Sequence, residues 1–398
     1  MRILMLTSTL PRFPGDMQAN FVGEQAEAWT GARPHDRITI LAPGDPAANR
    51  LEERGAIQVE RFRYFKPESL QKLAYPAILP NIRRNPTLVL QVPPFLWSQY
   101  RAAKKLVKRD NVDLIYAHWV MPQGLIAWLL KRATGRPYIL QNHSSDLAVF
   151  EKLGALGKWL ARRILREASH FFCVNSLQRS AAASLFEGIE REQFLAKCTV
   201  LPMGVVLPEL KLDIQPEFDV ATIGRLSAKK GIQHLIGAGE RLAASDRRPV
   251  ICIAGDGEEM ESLKALTDRA NIRFLGFLSA EKKDSFFDRT ARFAFPAKEA
   301  DGDVEGLPVS LLEALCRGMP VLASRDTNIE LLPEWERLRE HVIFVDDPAN
   351  ENAMDVALER LLNLPDTPSD ELIEMMARYR WDRLIEDYLG PIERALDI

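Results

Sequence analysis

The chain has 398 residues, 46% of them hydrophobic and 27% charged, with a net charge of −3. That length suffices for two or three ordinary domains, and the composition is that of a soluble globular protein. The slight acidity argues against a nucleic-acid binder, which would carry a basic excess. Cys173, Cys198, Cys252 and Cys316 form no CxxC pair, and each lies in or beside an apolar run. They are expected to be reduced core residues of a cytosolic protein. The start, MRILMLTSTLPRF, lacks the long apolar core of a signal peptide. No uncharged apolar run approaches the roughly 18 residues of a spanning helix.

In chain order, RILMLTS (2–8) predicts a buried strand, and NFVGEQAEAWT (20–30) a helix capped by Asn20. Strands follow at RITILAP (37–43), DLIYAHW (113–119), PYILQNH (137–143) and FFCVNS (171–176), with helical stretches between them. This alternation implies a mostly parallel sheet covered by helices on both faces. The segment 202–217, with three prolines and no period, reads as an interdomain linker. The pattern then restarts with strands at DVATIGR (219–225), PVICIAGDG (249–257), ARFAFPA (291–297) and PVLAS (320–324). From Thr367-Pro368-Ser369-Asp370, read as a cap with proline at the first helical position, helical sequence continues through MMARYRWDRLIEDYL. The expected fold class is α/β, with two Rossmann-like doubly wound domains facing a central cleft. The expected boundaries are 1–205, 206–366, and a helical tail 367–398 packing back on the first domain.

In such folds ligands bind beyond the carboxyl ends of the strands. GRLSAKKG (224–231) places Arg225 and Lys230 between a strand end and a helix start. Two cations beside a helix N-terminus suit a diphosphate, although alone the stretch is equally a solvated basic loop. In VEGLPVSLLEA (304–314), Glu305 and Gly306 precede a helix whose first turn holds Pro308, and Glu313 lies more than one turn inside. A carboxylate at the helix mouth can accept hydrogen bonds from sugar hydroxyls, and one deeper in can hold a ribose diol. A glutamate inside the apolar run LLEAL is less often idle than one on a surface helix. His143 and Asp146, in QNHSSD after a first-half strand, are candidates to meet a sugar or a phosphate. Gly15, in TLPRFPGD after the first strand, could let backbone amides approach a phosphate. AGDG (254–257) lacks the third glycine of a dinucleotide fingerprint.

Taken together, the first glycine-containing loop, DLIYAHW, the His of NHSSD, GRLSAKKG, FLGFLS (274–279) and the E-x7-E spacing of EGLPVSLLE resemble the retaining GT-B glycosyltransferases of family four. Order and spacing match along nearly the whole chain. The resemblance implies that Arg225, Lys230 and Gly15 meet the donor diphosphate. Glu305, Gly306, Leu307, His143 and Asp146 would meet the donor sugar, with Glu305 and His143 nearest the chemistry. Glu313, Gly276 and Phe277 would hold the nucleoside. It further implies a hexose transferred with retention from a nucleotide sugar, UDP ahead of GDP, to a glycan or lipid-linked acceptor. No cofactor or metal is then needed, and Asp301-Gly302-Asp303 is not a metal motif in this context. That DGD is reminiscent of members that build polysaccharides and cell-envelope glycans. The alternatives are a nucleotide-sugar epimerase and a non-catalytic nucleotide-sugar-binding subunit of the same fold.

Four departures from the family pattern stand out: Ala19-Asn20 in the first loop, Met203-Gly204-Val205-Val206 after the interdomain strand, Pro308, and RDTNIELLPEW (325–335), which lacks a glycine-rich turn. Two basic stretches add a partner. RAAKKLVKR (101–109) gathers Arg101, Lys104, Lys105 and Lys108, and KWLARRILR (158–166) gathers Lys158, Arg162, Arg163 and Arg166. They predict either solvated helix faces or peripheral docking on an anionic inner membrane face.

Overall fold

The computed structural model describes all residues except Met17, Ser144, Ser145, 210–213, Asp246, 301–304 and 397–398. The chain forms two compact units, Met1–Pro202 with the tail from Leu384, and Met203–Arg383. Asp301-Gly302-Asp303 lies outside the described residues.

The first unit is built on eight strands: β1 (Arg2–Leu6), β2 (Arg37–Pro43), β3 (Leu51–Arg54), β4 (Ile57–Phe62), β5 (Leu114–His118), β6 (Tyr138–Gln141), β7 (His170–Cys173) and β8 (Cys198–Val200). Their spatial order is β3-β4-β2-β1-β5-β6-β7-β8. All neighbours are parallel except the edge pair β3–β4. The order turns at β1, so the β1 and β5 ends sit at the switch point where α/β sheets collect ligands. At the centre of the sheet every residue of β5 and β6 is buried, as in a parallel sheet covered on both faces.

The second unit carries β9 (Val220–Ile223), β10 (Ile251–Ala254), β11 (Ile272–Gly276), β12 (Phe293–Phe295), β13 (Val321–Ser324) and β14 (Val342–Val345). It is wholly parallel, in the order β11-β10-β9-β12-β13-β14. Here the order turns between β9 and β12, the two strands whose loops carry Lys230 and Glu305.

Three local expectations are corrected. Asn20 occupies the cap position of the helix Phe21–Ala32 but makes no side-chain cap bond. The helix after the Thr367-Pro368 turn is capped by Ser369, whose Oγ accepts from the Leu372 N–H at 3.3 Å. The tail is not one segment. Leu372, Met375 and Met376 of the helix Asp370–Met376 pack into the second unit's core. Arg380 then breaks the helix in extended conformation, bridging to Val205, and the chain joins the first unit only from Leu384. Burial of those three apolar side chains holds 370–376 on the second unit. The four cysteines are unbonded, with Cys173, Cys252 and Cys316 buried and Cys198 partly so. Among the described residues no helix is long and apolar enough to cross a membrane.

Candidate active site

In the second unit the chain leaves β9 through Gly224, makes one 3-10 turn at Ala228–Lys230, and enters the helix Ile232–Ala244 through Gly231. Gly231 has φ +65°, and a Cβ there would lie 1.8 Å from the Pro296 carbonyl oxygen. Only glycine fits this turn. Gly255, after β10, is equally constrained: at φ +122°, its Cβ would lie 1.8 Å from the Gly224 carbonyl oxygen. The loops that follow β9, β10 and β12 therefore interlock backbone against backbone.

The Gly231 turn delivers Lys230 to the loop after β12. Its Nζ lies 2.9 Å from Glu305 Oε1 and 4.7 Å from the centre of the Phe295 ring. Lys229 Nζ lies 3.5 Å from the same oxygen. The Glu305 side chain is only 11% exposed. Burial disfavours its charge, but Lys230 and Lys229 outweigh burial and hold the carboxyl below the ordinary carboxylate range. Arg225 has a separate partner, with Nε 3.0 Å from Glu258 Oε2 in an exposed pair.

Glu313 is the fifth residue of the helix Val309–Cys316 and is 6% exposed at its side chain. Lys283, on the helix Ala280–Asp288, places Nζ 2.5 Å from Glu313 Oε1. Pro308 is the residue before the helix rather than its first turn, and its carbonyl accepts from the Leu311 and Leu312 N–H groups at 3.1 and 3.2 Å. Gly276 ends β11 at φ +68°, and its carbonyl accepts from the Gly255 N–H at 2.8 Å. The following Phe277 is exposed, and Leu307 packs on the unit's core.

The first unit gathers a second group at the end of β5. His143 is ringed by Phe21, Trp119 and His118, with centroids at 4.7, 4.6 and 5.2 Å. His118 Nδ1 lies 3.0 Å from His143 Nε2. His118 Nε2 has no partner among the described residues. Burial lowers the His118 pKa to about 3, and burial together with His118 lowers that of His143 well below its usual value. Both rings are neutral, so one must donate to the other. A proton on His118 Nδ1 leaves a buried lone pair at Nε2, whereas a proton on Nε2 would leave a buried N–H unpaired, which costs more. The geometry thus favours His118 donating, with His143 protonated at Nδ1. The Asp146 carboxylate accepts from the Val120 N–H at 2.8 Å and from the Asn142 amide, bracing this strand end. Gly15 stands at φ +81° in a first loop pinned by Arg12, whose N, Nε and Nη2 each donate to the Asp16 carboxylate at 2.8 Å.

Within each unit, then, the structure joins Lys230 with Glu305, Glu313 with Lys283, and His143 with His118. Sequence reasoning missed Lys283, His118, Arg12 and Asn328. Asn328 donates from Nδ2 to the Glu305 and Gly306 carbonyls at 2.9 and 3.0 Å. Its signal was the absent glycine of RDTNIELLPEW: Asn328 takes the left-handed conformation, φ +58°, that a glycine would otherwise supply.

Comparison with known proteins matches the chain in two parts. Residues 19–207 match the family described as Glycosyltransferase Family 4, and residues 211–379 match Glycosyl transferases group 1. An uncharacterized glycosyltransferase of Methanocaldococcus jannaschii is 24% identical over 58% of this chain and 61% of its own length. A Mycobacterium tuberculosis protein named GDP-mannose-dependent alpha-(1-6)-phosphatidylinositol monomannoside mannosyltransferase is 22% identical over 96% of both chains. Among solved structures, the sucrose-phosphate synthase of Thermosynechococcus elongatus superposes with a TM-score of 0.72 at 18% identity, covering 99% of this chain and 98% of that one.

Proposed function

Because this chain belongs to the GT-B glycosyltransferases of family four, we propose that it transfers a hexose with retention from a UDP- or GDP-sugar to a glycan or lipid-linked acceptor in cell-envelope or polysaccharide biosynthesis. The observation that carries this reading is the buried Lys230–Glu305 pair at the β9 and β12 ends, with the second buried carboxylate, Glu313, eight residues on. Lys230, Arg225 and the start of the helix Ile232–Ala244 take the donor diphosphate, Lys230 exchanging part of its attachment to Glu305 for a phosphate oxygen. Glu305, held ionised, accepts from sugar hydroxyls, and Glu313 accepts from the ribose diol. The Gly306 and Leu307 backbone lies at the sugar, and Gly276 with Phe277 at the base.

On the acceptor side, His143 donates from Nδ1 to the donor sugar. The bond from the anomeric carbon to the diphosphate oxygen breaks while the acceptor oxygen bonds to that carbon on the same face. The acceptor's proton passes to the leaving diphosphate, so no side chain acts as base. Lys230, Arg225 and the helix N-terminus neutralise the charge that develops on the leaving group, without a metal.

The protein works in the cytoplasm, touching the membrane peripherally. On the helix Gly154–Glu167, Leu156 is 67% and Trp159 49% exposed beside exposed Lys158 and Arg162. Arg163 lies over the Trp159 ring at 5.7 Å. Arg166 is already paired with Glu190 and contributes less. Exposed apolar groups flanked by cations suit an anionic lipid surface.

The deciding experiment is a thermal-shift screen against UDP, GDP, ADP and their sugar conjugates. A shift with one nucleoside diphosphate, lost in Arg225→Ala/Lys230→Ala, supports the reading and identifies the base. No shift with any of them refutes it. Donor binding without turnover on any acceptor would favour the non-catalytic binding subunit.

A further inference from the structure

The segment after β13 does more than turn the chain. Ser324 Oγ donates to the Ala297 carbonyl, and Asp326 Oδ2 accepts from the Glu299 N–H at 2.6 Å. Asn328 Nδ2 donates to the Glu305 and Gly306 carbonyls at 2.9 and 3.0 Å. Three alternate residues thus tie down both ends of the 297–306 segment. Asn328 is held in turn. It sits between two 3-10 turns, at Arg325–Thr327 and Ile329–Leu331, with φ +58° and ψ 22°. Its own N–H donates to the Arg325 carbonyl at 3.0 Å, and the flanking Thr327 and Ile329 are fully buried.

We propose that Asn328 is the positioning residue for Glu305, its amide fixing the peptide planes that aim the Glu305 carboxylate and the Gly306–Leu307 backbone at the donor sugar. In a trans peptide the C=O and the next N–H point to opposite sides. Holding the Glu305 and Gly306 carbonyls on Asn328 therefore turns the Gly306 and Leu307 N–H groups the other way. The same constraint fixes the direction in which the Glu305 side chain leaves the backbone, toward Lys230. Neither glycine, aspartate nor alanine meets both demands. Glycine takes the left-handed turn but has no amide, and aspartate has the shape but cannot donate. Alanine fails on both counts. This role rests on the donor-sugar reading of Glu305.

The test uses the full chain as wild type, Asn328→Gly and Asn328→Asp. Three quantities are measured: melting temperature, its shift with UDP and GDP, and the kcat and KM for nucleoside diphosphate release from UDP-glucose and GDP-mannose. Asn328→Gly keeps the turn and should melt close to wild type with the nucleoside diphosphate shift intact. Its kcat should fall about 30- to 100-fold at a donor KM within about twofold, the signature of a misaimed reacting end. Asn328→Asp, which sets a carboxylate against two carbonyls, should lose at least as much. Wild-type kcat in Asn328→Gly overturns the proposal. So does a joint loss of melting temperature, nucleoside diphosphate shift and turnover, which marks a merely structural role. Wild-type protein with neither shift nor turnover removes the donor reading itself, and this proposal with it.

Discussion

Lys230 reaches Glu305 from the residue that precedes a glycine no other amino acid can replace, and the two charges meet at 2.9 Å in a largely buried site. A pair so placed is a poor source of stability but a sensitive one, because removing either partner strands the other.

The pair separates stability from chemistry. Lys230→Ala leaves a buried carboxylate with only Lys229 beside it, and should destabilise the protein by about 2 kcal/mol. Adding Glu305→Gln should restore most of that loss in urea titrations without restoring turnover. Glu305→Gln alone should lower kcat about 100- to 1000-fold while the melting shift with nucleoside diphosphate persists.

Acid should weaken the protein in two stages. The folded state keeps His118 neutral down to about pH 3, whereas the unfolded chain takes up that proton near pH 6.5, so stability falls as pH drops below 6.5. His143 adds to the same slope, its pKa being lowered as well. Glu305, with its folded pKa depressed, contributes stability that is complete above about pH 4.5 and is lost below it. In His118→Asn the change in unfolding free energy between pH 7.5 and 5.5 should shrink by about 1 kcal/mol. In Glu305→Gln only the leg below pH 4.5 should flatten.

The His118–His143 contact predicts a fixed tautomer. Nitrogen chemical shifts in the wild type should show His143 protonated at Nδ1 and neutral at pH 6. In His118→Phe, which keeps a stacked ring but donates nothing, His143 should become a mixture of tautomers, and kcat should fall more than donor KM rises. An unchanged single tautomer would refute the assignment.

Glu313 should report on the ribose. Glu313→Gln should raise donor KM about tenfold, the worth of one or two hydrogen bonds to a charged acceptor, with kcat less affected. Discrimination against a 2′-deoxyribose donor should fall in the same variant.

Two glycines should behave differently although both have positive φ. Gly231→Ala meets the Pro296 oxygen at 1.8 Å and should lower the melting temperature by about 10 °C or prevent folding. Gly15→Ala, at φ +81° with nothing within 4 Å of the new Cβ, should cost only the backbone strain of about 1 kcal/mol.

Much of this was legible in the sequence, and the gaps have physical causes. Strands β1, β2, β5, β9 and β10 are mostly buried, so they read as largely apolar runs. Strand β3, LEER, gives no signal because it lies at the sheet edge with no buried residue. β8 has three half-buried residues, too few for a period to show. Lys230, Glu305 and Glu313 stood out because their spacing around helix starts is itself a motif. Their partners did not: Lys283 looks no different from Lys282 in AEKKD, and only the fold tells which one reaches Glu313. His118 and His143 lie 25 residues apart on neighbouring strand ends, a contact set by sheet pairing rather than by either local sequence. Asn328 was visible only as a missing glycine.

The burial of the four cysteines has a practical side. Burial pushes the thiols of Cys198, Cys252 and Cys316 up to about 12, and that of Cys173 well above its usual value. At neutral pH almost no thiolate is present at any of them. The native chain should therefore react slowly with maleimides and disulfide reagents. A single cysteine introduced at an exposed position such as Leu156 or Ile189 would be the one fast-reacting thiol. Fluorophores or spin labels could be attached there without first stripping the core of its own sulfur, and the unlabelled wild type would serve as the blank.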